Sequence, residues 1–207
     1  MQKVIFSGQD ISSIEPMPGL YIITGSNGAG KSSVGSNYLP DHIRKNCEVF
    51  DGDKLFMQKQ KLLWKQVDEL VEGAILNNTD FAYEGHFINE ATGDIPKRFK
   101  NNGYAIYIIF LGLTNTALSQ LRVTDRAKLG GHYVQPAEVE ANFYGNLEKP
   151  NKYYILFDIV TIIDTSQPKH TILAFLINGF IEYSVRVEDL PEWFTNGLPT
   201  IMQAILK

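Results

Sequence analysis

Residues Gly25 to Ser32 read Gly-Ser-Asn-Gly-Ala-Gly-Lys-Ser: two glycines bracket four residues and are followed by Lys and Ser. This spacing is suited to holding phosphate. Gly25, Gly28 and Gly30 permit backbone conformations that a Cβ would block, so successive N–H groups can turn inward as an anion nest. A helix starting at the same point adds its positive dipole end. Lys31 has the reach for β- and γ-phosphates, and the Ser32 hydroxyl can hold Mg²⁺. The candidate nucleotide-binding residues are therefore Gly25, Ser26, Asn27, Gly28, Ala29, Gly30, Lys31, Ser32 and Ser33, with Ser32 as candidate metal ligand. The loop implies a nucleoside triphosphate and leaves open what its phosphate is used for.

Other polar residues could complete a site. Asp51 and Asp53 follow a short apolar run; either carboxylate could take a proton from an attacking hydroxyl, and Asp-Gly-Asp is equally ordinary turn chemistry. Glu84 closes a second apolar run. It could hold substrate, although such acids also serve as caps or ion-pair partners. His86 reads as polar lining. Arg122 and Arg126 lie four apart, on one face of a helix. Two guanidinium groups there suit a transferring phosphoryl group, or a solvated basic face that pairs with acids such as Asp125. Asp164 ends a further apolar run, as the aspartate that assists Mg²⁺ does in many phosphate-loop proteins, and as buried strands commonly do.

The pattern around these residues specifies the elements that would carry them. Leu20–Thr24 is a buried-strand run directly before the loop. A helix is expected from Lys31 to Tyr38, with Pro40 as its stop. Short strands are expected at 4–6, 48–50 and 81–83, and longer ones at 104–111 and 159–163. Lys54 to Leu76 has the i, i+3, i+4 periodicity of one buried face, with Leu62, Leu63, Val67, Leu70, Val71, Ala74 and Ile75 inward. Helices are also expected from about Ile88 to Asn101, with Gly93 and Pro96 splitting its start, over Ala117–Lys128 and from Pro136. Asn178-Gly179 between two apolar runs predicts a hairpin, and Pro191 opens a last amphipathic helix. Strands alternating with helices give an α/β fold. With the phosphate loop it is the P-loop NTPase kind: three layers around a mostly parallel central sheet, ending in a hairpin plus a helix, as a single domain over 1–207.

Bulk composition narrows the class. The chain has 207 residues and a formal net charge of −4, with 44% hydrophobic and 20% charged residues. Those are ordinary values for a soluble domain with a sizeable core, and the acidic balance argues against nucleic acid as partner. The single cysteine, Cys47, excludes an internal disulfide and fits a reducing cytoplasm. It reads as a structural thiol. No apolar run is long enough to span a bilayer.

In their order along the chain, several segments resemble the zeta-toxin-like kinase family, especially a compact bacterial branch often described as predicted ABC-type ATPases. The marks are the phosphate loop, Asp51-Gly52-Asp53-Lys54-Leu55, Phe81 to His86, Phe110 to Leu113, Arg122 to Arg126 and Gly130 to Val134. The resemblance runs from about Leu20 to Ser166. It implies an ATP- and Mg²⁺-dependent kinase moving the γ-phosphate to a hydroxyl of a small molecule, such as a UDP-linked amino sugar. On that resemblance Asp53 is the general base and Lys31 holds ATP. Glu84, with Asp53 and His86, positions the acceptor, and Arg122 and Arg126 meet the phosphates from a helical lid over about 122–148. It also leaves room for an antitoxin-like protein partner.

One departure stands out. Relatives carry Arg-Arg-Tyr on the helix after the Gly-Gly-His segment; here those positions are Ala141, Asn142 and Phe143, with Asn146-Leu147 following. The missing charge keeps open a nucleotide-binding switch or interaction protein with little catalysis; a kinase of polynucleotide ends is a further alternative, against which the acidic balance counts. Leu129-Gly130-Gly131-His132 is only superficially similar to the transporter-ATPase signature Leu-Ser-Gly-Gly-Gln.

Overall fold

The computed structural model describes residues 17–52, 60–88, 91–131 and 133–207. Among them the chain builds a seven-stranded sheet. Its strands are β1 (Gly19–Gly25), β2 (Val49–Asp51), β3 (Phe81–Glu84), β4 (Ala105–Gly112), β5 (Ile159–Asp164), β6 (Thr171–Ile177) and β7 (Phe180–Ser184). Their order is β2-β3-β1-β4-β5-β6-β7. The first five run parallel, and β6 and β7 add an antiparallel hairpin. Every residue of β1 is buried, and β4 is nearly so. Strands covered on both faces in this way need the near-continuous apolar runs that the sequence carries. The hairpin turn places Asn178 at φ 50° and Gly179 at φ 80°, the pair of left-handed residues that a two-residue connection requires.

The helices are α1 (Lys31–Val34), α2 (Asp41–Asn46), α3 (Gln60–Asn77), α4 (Asp94–Asn101), α5 (Thr116–Lys128), α6 (Pro136–Tyr153), α7 (Glu192–Gly197) and α8 (Pro199–Ile205). Four of the expectations are corrected. The helix after the loop lasts one turn and continues as a 3₁₀ segment, Gly35–Tyr38. Gly35 lies so close to β1 that a Cβ there would meet Ile23 Cγ2 at 2.5 Å. The run before Asn101 is helical only from Asp94, after a 3₁₀ turn at Ala91–Gly93. The last helix is broken in two at Leu198, because the residue before Pro199 is steered away from helical geometry while proline favours the first position of a new helix. On α3, Val71 and Ala74 are buried as expected, but Leu70 is exposed. The expected strand at 4–6 lies outside the described residues.

β1 sits where the chain changes direction across the sheet, between β3 and β4. Ligands in open α/β sheets bind beyond the carboxyl ends of strands at such a switch point. Register sets the residues there: Ile23 lies beside Glu84, Gly25 beside Leu111, and Asp51 beside Glu84. Helix α6 packs against β1, and Val139, Phe143 and Leu147 on it are buried. Each such burial contributes about 1.5–3 kcal/mol, so α6 is part of the core. Leu129 and Tyr133 on the α5–α6 connection face solvent, as does Tyr144 on the outer face of α6. Cys47 is half-buried; burial pushes its thiol up, against a backbone bond to Ala82 that pulls it down. No helix among the described residues is long and apolar enough to cross a membrane.

Candidate functional site

The phosphate loop leaves β1 through three glycines with positive φ, at 148° (Gly25), 74° (Gly28) and 96° (Gly30). Gly25 has no room for a side chain: a Cβ would stand 2.2 Å from the Leu111 carbonyl oxygen. Gly30 caps α1 in the left-handed conformation, so the free N–H groups of the first turn open onto the loop. Lys31 folds back inside. Its Nζ donates to the carbonyls of Gly25 at 3.0 Å and Ser26 at 3.3 Å, and the residue is only 8% exposed. This sets a buried ammonium among the glycines of the loop, at the place where a phosphate would sit. Ser26 Oγ is buried with no hydrogen-bond partner among the described residues. Ser32 and Ser33 are exposed on the first turn of α1, and Ser33 Oγ donates to the Gly30 carbonyl at 3.4 Å.

Two neighbouring segments hold the loop in shape. From α5, Ser119 Oγ donates to the Asn27 carbonyl at 2.5 Å. One turn on, the Arg122 guanidinium donates to the Gly28 carbonyl (3.2 Å) and to the carbonyls of Thr165 (2.9 Å) and Ser166 (3.0 Å). After β5, Thr165 Oγ1 lies 2.9 Å from the Ala29 carbonyl and 3.0 Å from that of Gly112. Asp164 caps this turn: its Oδ1 accepts from the Ser166 backbone N–H at 2.8 Å and from Ser166 Oγ at 2.5 Å. Arg122 therefore spends its donors on backbone, whereas Arg126, one turn further along α5, is exposed and pairs with no carboxylate among the described residues.

The other side of the site is built from amides. Glu84 is 7% exposed at the end of β3, and the following N–H of Gly85 donates to the Ile23 carbonyl at 3.0 Å. Asn142 and Asn146 lie on the inward face of α6. Asn142 Nδ2 donates to Asn27 Oδ1 at 2.8 Å. Asn146, fully buried, makes four bonds. Its Oδ1 accepts from Thr24 Oγ1 (2.8 Å) and the Phe87 N–H (3.0 Å), and its Nδ2 bonds His86 Nδ1 (2.9 Å) and the Asn142 carbonyl (2.7 Å). The departure at positions 141–142 thus has a structural form. Ala141 points to solvent, and Asn142 places a neutral amide on the phosphate loop.

The structure thus brings together the loop residues, Arg122, Glu84 and His86. Asp53 and His132 lie outside the described residues. Sequence reasoning missed Ser119, Asn142, Asn146, Thr165 and Ser166. A signal existed for three of them. Ser119 sits one turn before Arg122, and Asn142 and Asn146 interrupt an otherwise apolar helical stripe formed with Val139, Phe143 and Leu147.

Comparison with known proteins defines the class. Three solved structures share the fold. The AvrRxo1-ORF1:-ORF2 complex with ATP aligns at TM-score 0.65 and 15% identity, over 88% of this chain and 64% of that one. The PezAT chromosomal toxin–antitoxin system of Streptococcus pneumoniae aligns at 0.58 and 15%, over 93% and 87%. The Pnkp1/Rnl/Hen1 RNA repair complex aligns at 0.52 and 13%, over 70% and 49%. At these identities the likeness is one of fold, and this chain spans less than two thirds of the AvrRxo1-ORF1:-ORF2 chain that it matches. The fold and the loop are those of a P-loop NTPase. The Zeta toxin family model matches residues 56–172, more than half of the sequence, and the chain belongs to that family. That match starts after the phosphate loop, so the loop is an independent observation. No curated protein sequence matches.

Proposed function

We propose that the protein is a cytoplasmic, single-domain phosphotransferase that moves the γ-phosphate of ATP to a hydroxyl of a small molecule, with UDP-linked amino sugars as the leading acceptor class. The observation that carries this reading is Lys31, buried within the glycine loop at the switch point of the sheet, in a chain of the zeta toxin family. ATP as donor is supported by the AvrRxo1-ORF1:-ORF2 relative, which was solved with ATP.

In this reading the loop N–H groups and Lys31 hold the β- and γ-phosphates. Asp53 accepts the acceptor's hydroxyl proton as that oxygen bonds to the γ-phosphorus. The bond from phosphorus to the bridging oxygen breaks, and its electron pair leaves with ADP. Glu84 and His86 orient the acceptor. Arg122 keeps the loop in shape, and Arg126, with its guanidinium unspent, neutralises charge on the transferring group. Ser32 suits Mg²⁺, which would neutralise phosphate charge, because its hydroxyl is exposed on the first turn after the loop. The pairing of relatives with second proteins in AvrRxo1-ORF1:-ORF2 and PezAT supports an antitoxin-like partner here.

The test is transfer of label from γ-labelled ATP to a panel of UDP-amino sugars, other hydroxylated metabolites and RNA 5′-hydroxyl ends. A labelled nucleotide sugar is the expected product. Lys31→Ala is expected to reduce the rate by about 10³-fold, on the scale of a cation at the transferring phosphoryl group, and Asp53→Asn to abolish most of the remaining dependence on acceptor. Labelling of RNA ends alone would move the protein to end repair. No labelled acceptor, or a Lys31→Ala rate equal to wild type, would overturn the reading.

A further inference from the structure

The two halves of the site sit on different parts of the chain, and one side chain touches both. Asn146 is fully buried and its amide has no capacity left: an amide oxygen accepts two bonds and an NH₂ donates two, and all four are made. Thr24 is the last residue of β1 before Gly25, so one bond reaches the root of the phosphate loop. His86 and Phe87 lie two and three residues after Glu84, so two bonds reach the acceptor side. The fourth goes to the Asn142 carbonyl, and Asn142 in turn bonds Asn27 in the loop.

The network also fixes its own polarity. The backbone N–H of Phe87 can only donate, so the Asn146 atom facing it must be the oxygen. The nitrogen must then face His86 and donate, so His86 Nδ1 accepts and the imidazole carries its proton on Nε2. We propose that Asn146 is a positioning residue for phosphoryl transfer: it holds His86 as the Nε2–H tautomer and keeps the acceptor segment in register with the phosphate loop. The positioning role rests on the phosphotransferase reading; the tautomer does not. A small displacement between reacting groups is costly, about 10²-fold in rate for roughly 1 Å. A fully bonded buried amide is a stiff way to prevent that displacement.

Asn146→Asp is the informative variant. It keeps shape and both acceptor positions but puts an acceptor opposite Nδ1 and opposite the Asn142 carbonyl. The His86 ring proton should then move to Nδ1. ¹⁵N spectroscopy of the imidazole in the nucleotide-free protein reads this directly, with Nδ1 bare in wild type and protonated in the variant. With the nucleotide-sugar acceptor, kcat should fall by about 10²-fold while the KM for ATP is unchanged. His86→Ala leaves the other three Asn146 bonds in place and should reproduce the kcat loss, which covers the case in which Asn146→Asp fails to fold. A wild-type His86 protonated on Nδ1 would overturn the assignment whatever the enzyme does. So would wild-type kcat in both variants, or losses in kcat and ATP KM that merely follow a falling Tm. If wild type transfers no phosphate but carries Nε2–H, the phosphotransferase reading fails and the tautomer assignment stands.

Discussion

The phosphate-loop half of the site and the proposed acceptor half are held by different means. The anion-facing surface of the loop is backbone: glycine conformations, carbonyls around Lys31, and the N-terminus of α1, all within Gly25–Val34, braced from behind by the side chains of Ser119, Arg122 and Thr165. The proposed acceptor half is made of side chains, with His86 held by an asparagine 60 residues away and Glu84 two residues before it. Anion binding needs a fixed curl of N–H groups, which a short stretch of glycines supplies locally. Orienting an acceptor needs functional groups set at distances that only tertiary packing can define. The first half should therefore fail through its backbone and the second through its amides.

Gly25→Ala should show the largest effect. Its φ of 148° and the 2.2 Å approach of a Cβ to the Leu111 carbonyl leave the strand end no way to accept a methyl group. The strained conformation and the clash together cost about 3–5 kcal/mol. Thermal unfolding should show a fall of about 10 °C or more, and ATP binding by calorimetry should be lost. An alanine variant that binds ATP normally would show that the loop is looser than its contacts indicate.

The two arginines of α5 divide the halves more finely. Removing Arg122 leaves the carbonyls of Gly28, Thr165 and Ser166 without their donor, so Arg122→Ala should lower stability by about 1–3 kcal/mol. Arg126→Ala should leave Tm within a degree or so of wild type and reduce kcat by about 10²–10³-fold. The pair is measured by thermal melts beside steady-state kinetics. If the effects are exchanged between the two residues, the assignment of Arg122 to the loop and Arg126 to the transferring group is wrong.

These contrasts explain what the sequence disclosed. The phosphate loop, the parallel strands and the Asn178-Gly179 turn are local, and a window of eight or so residues contains their physics. The pairing of Arg122 and Arg126 on one helix face was readable from spacing. Their different surroundings were not, because Gly28 and Thr165 are 94 and 43 residues from Arg122. The break at Leu198 was written in Pro199 and overridden by the apolar periodicity around it. Asn142 reads as lost charge because its partner Asn27 is 115 residues distant, and Asn146 carries no local sign of its bond to Thr24, 122 residues away.

Asn142→Ala should give the smallest of these effects, and it tests whether the halves communicate. The substitution removes one neutral bond to Asn27 Oδ1 and keeps the Asn142 carbonyl that Asn146 uses. The loop retains its glycines, Lys31, and the Ser119 bond to the Asn27 carbonyl. A single buried neutral bond contributes about 1 kcal/mol, which for a chain of this length is a Tm decrease of about 2–4 °C. ATP affinity should weaken by at most about fivefold, since about 1 kcal/mol is the most that one such bond can transmit to a ligand. Turnover at saturating ATP should be close to wild type, because the Asn146 network to His86 is left whole. If turnover instead collapses, α6 acts on the transferring phosphate through Asn142 itself, and the separation of a backbone half from an amide half does not hold.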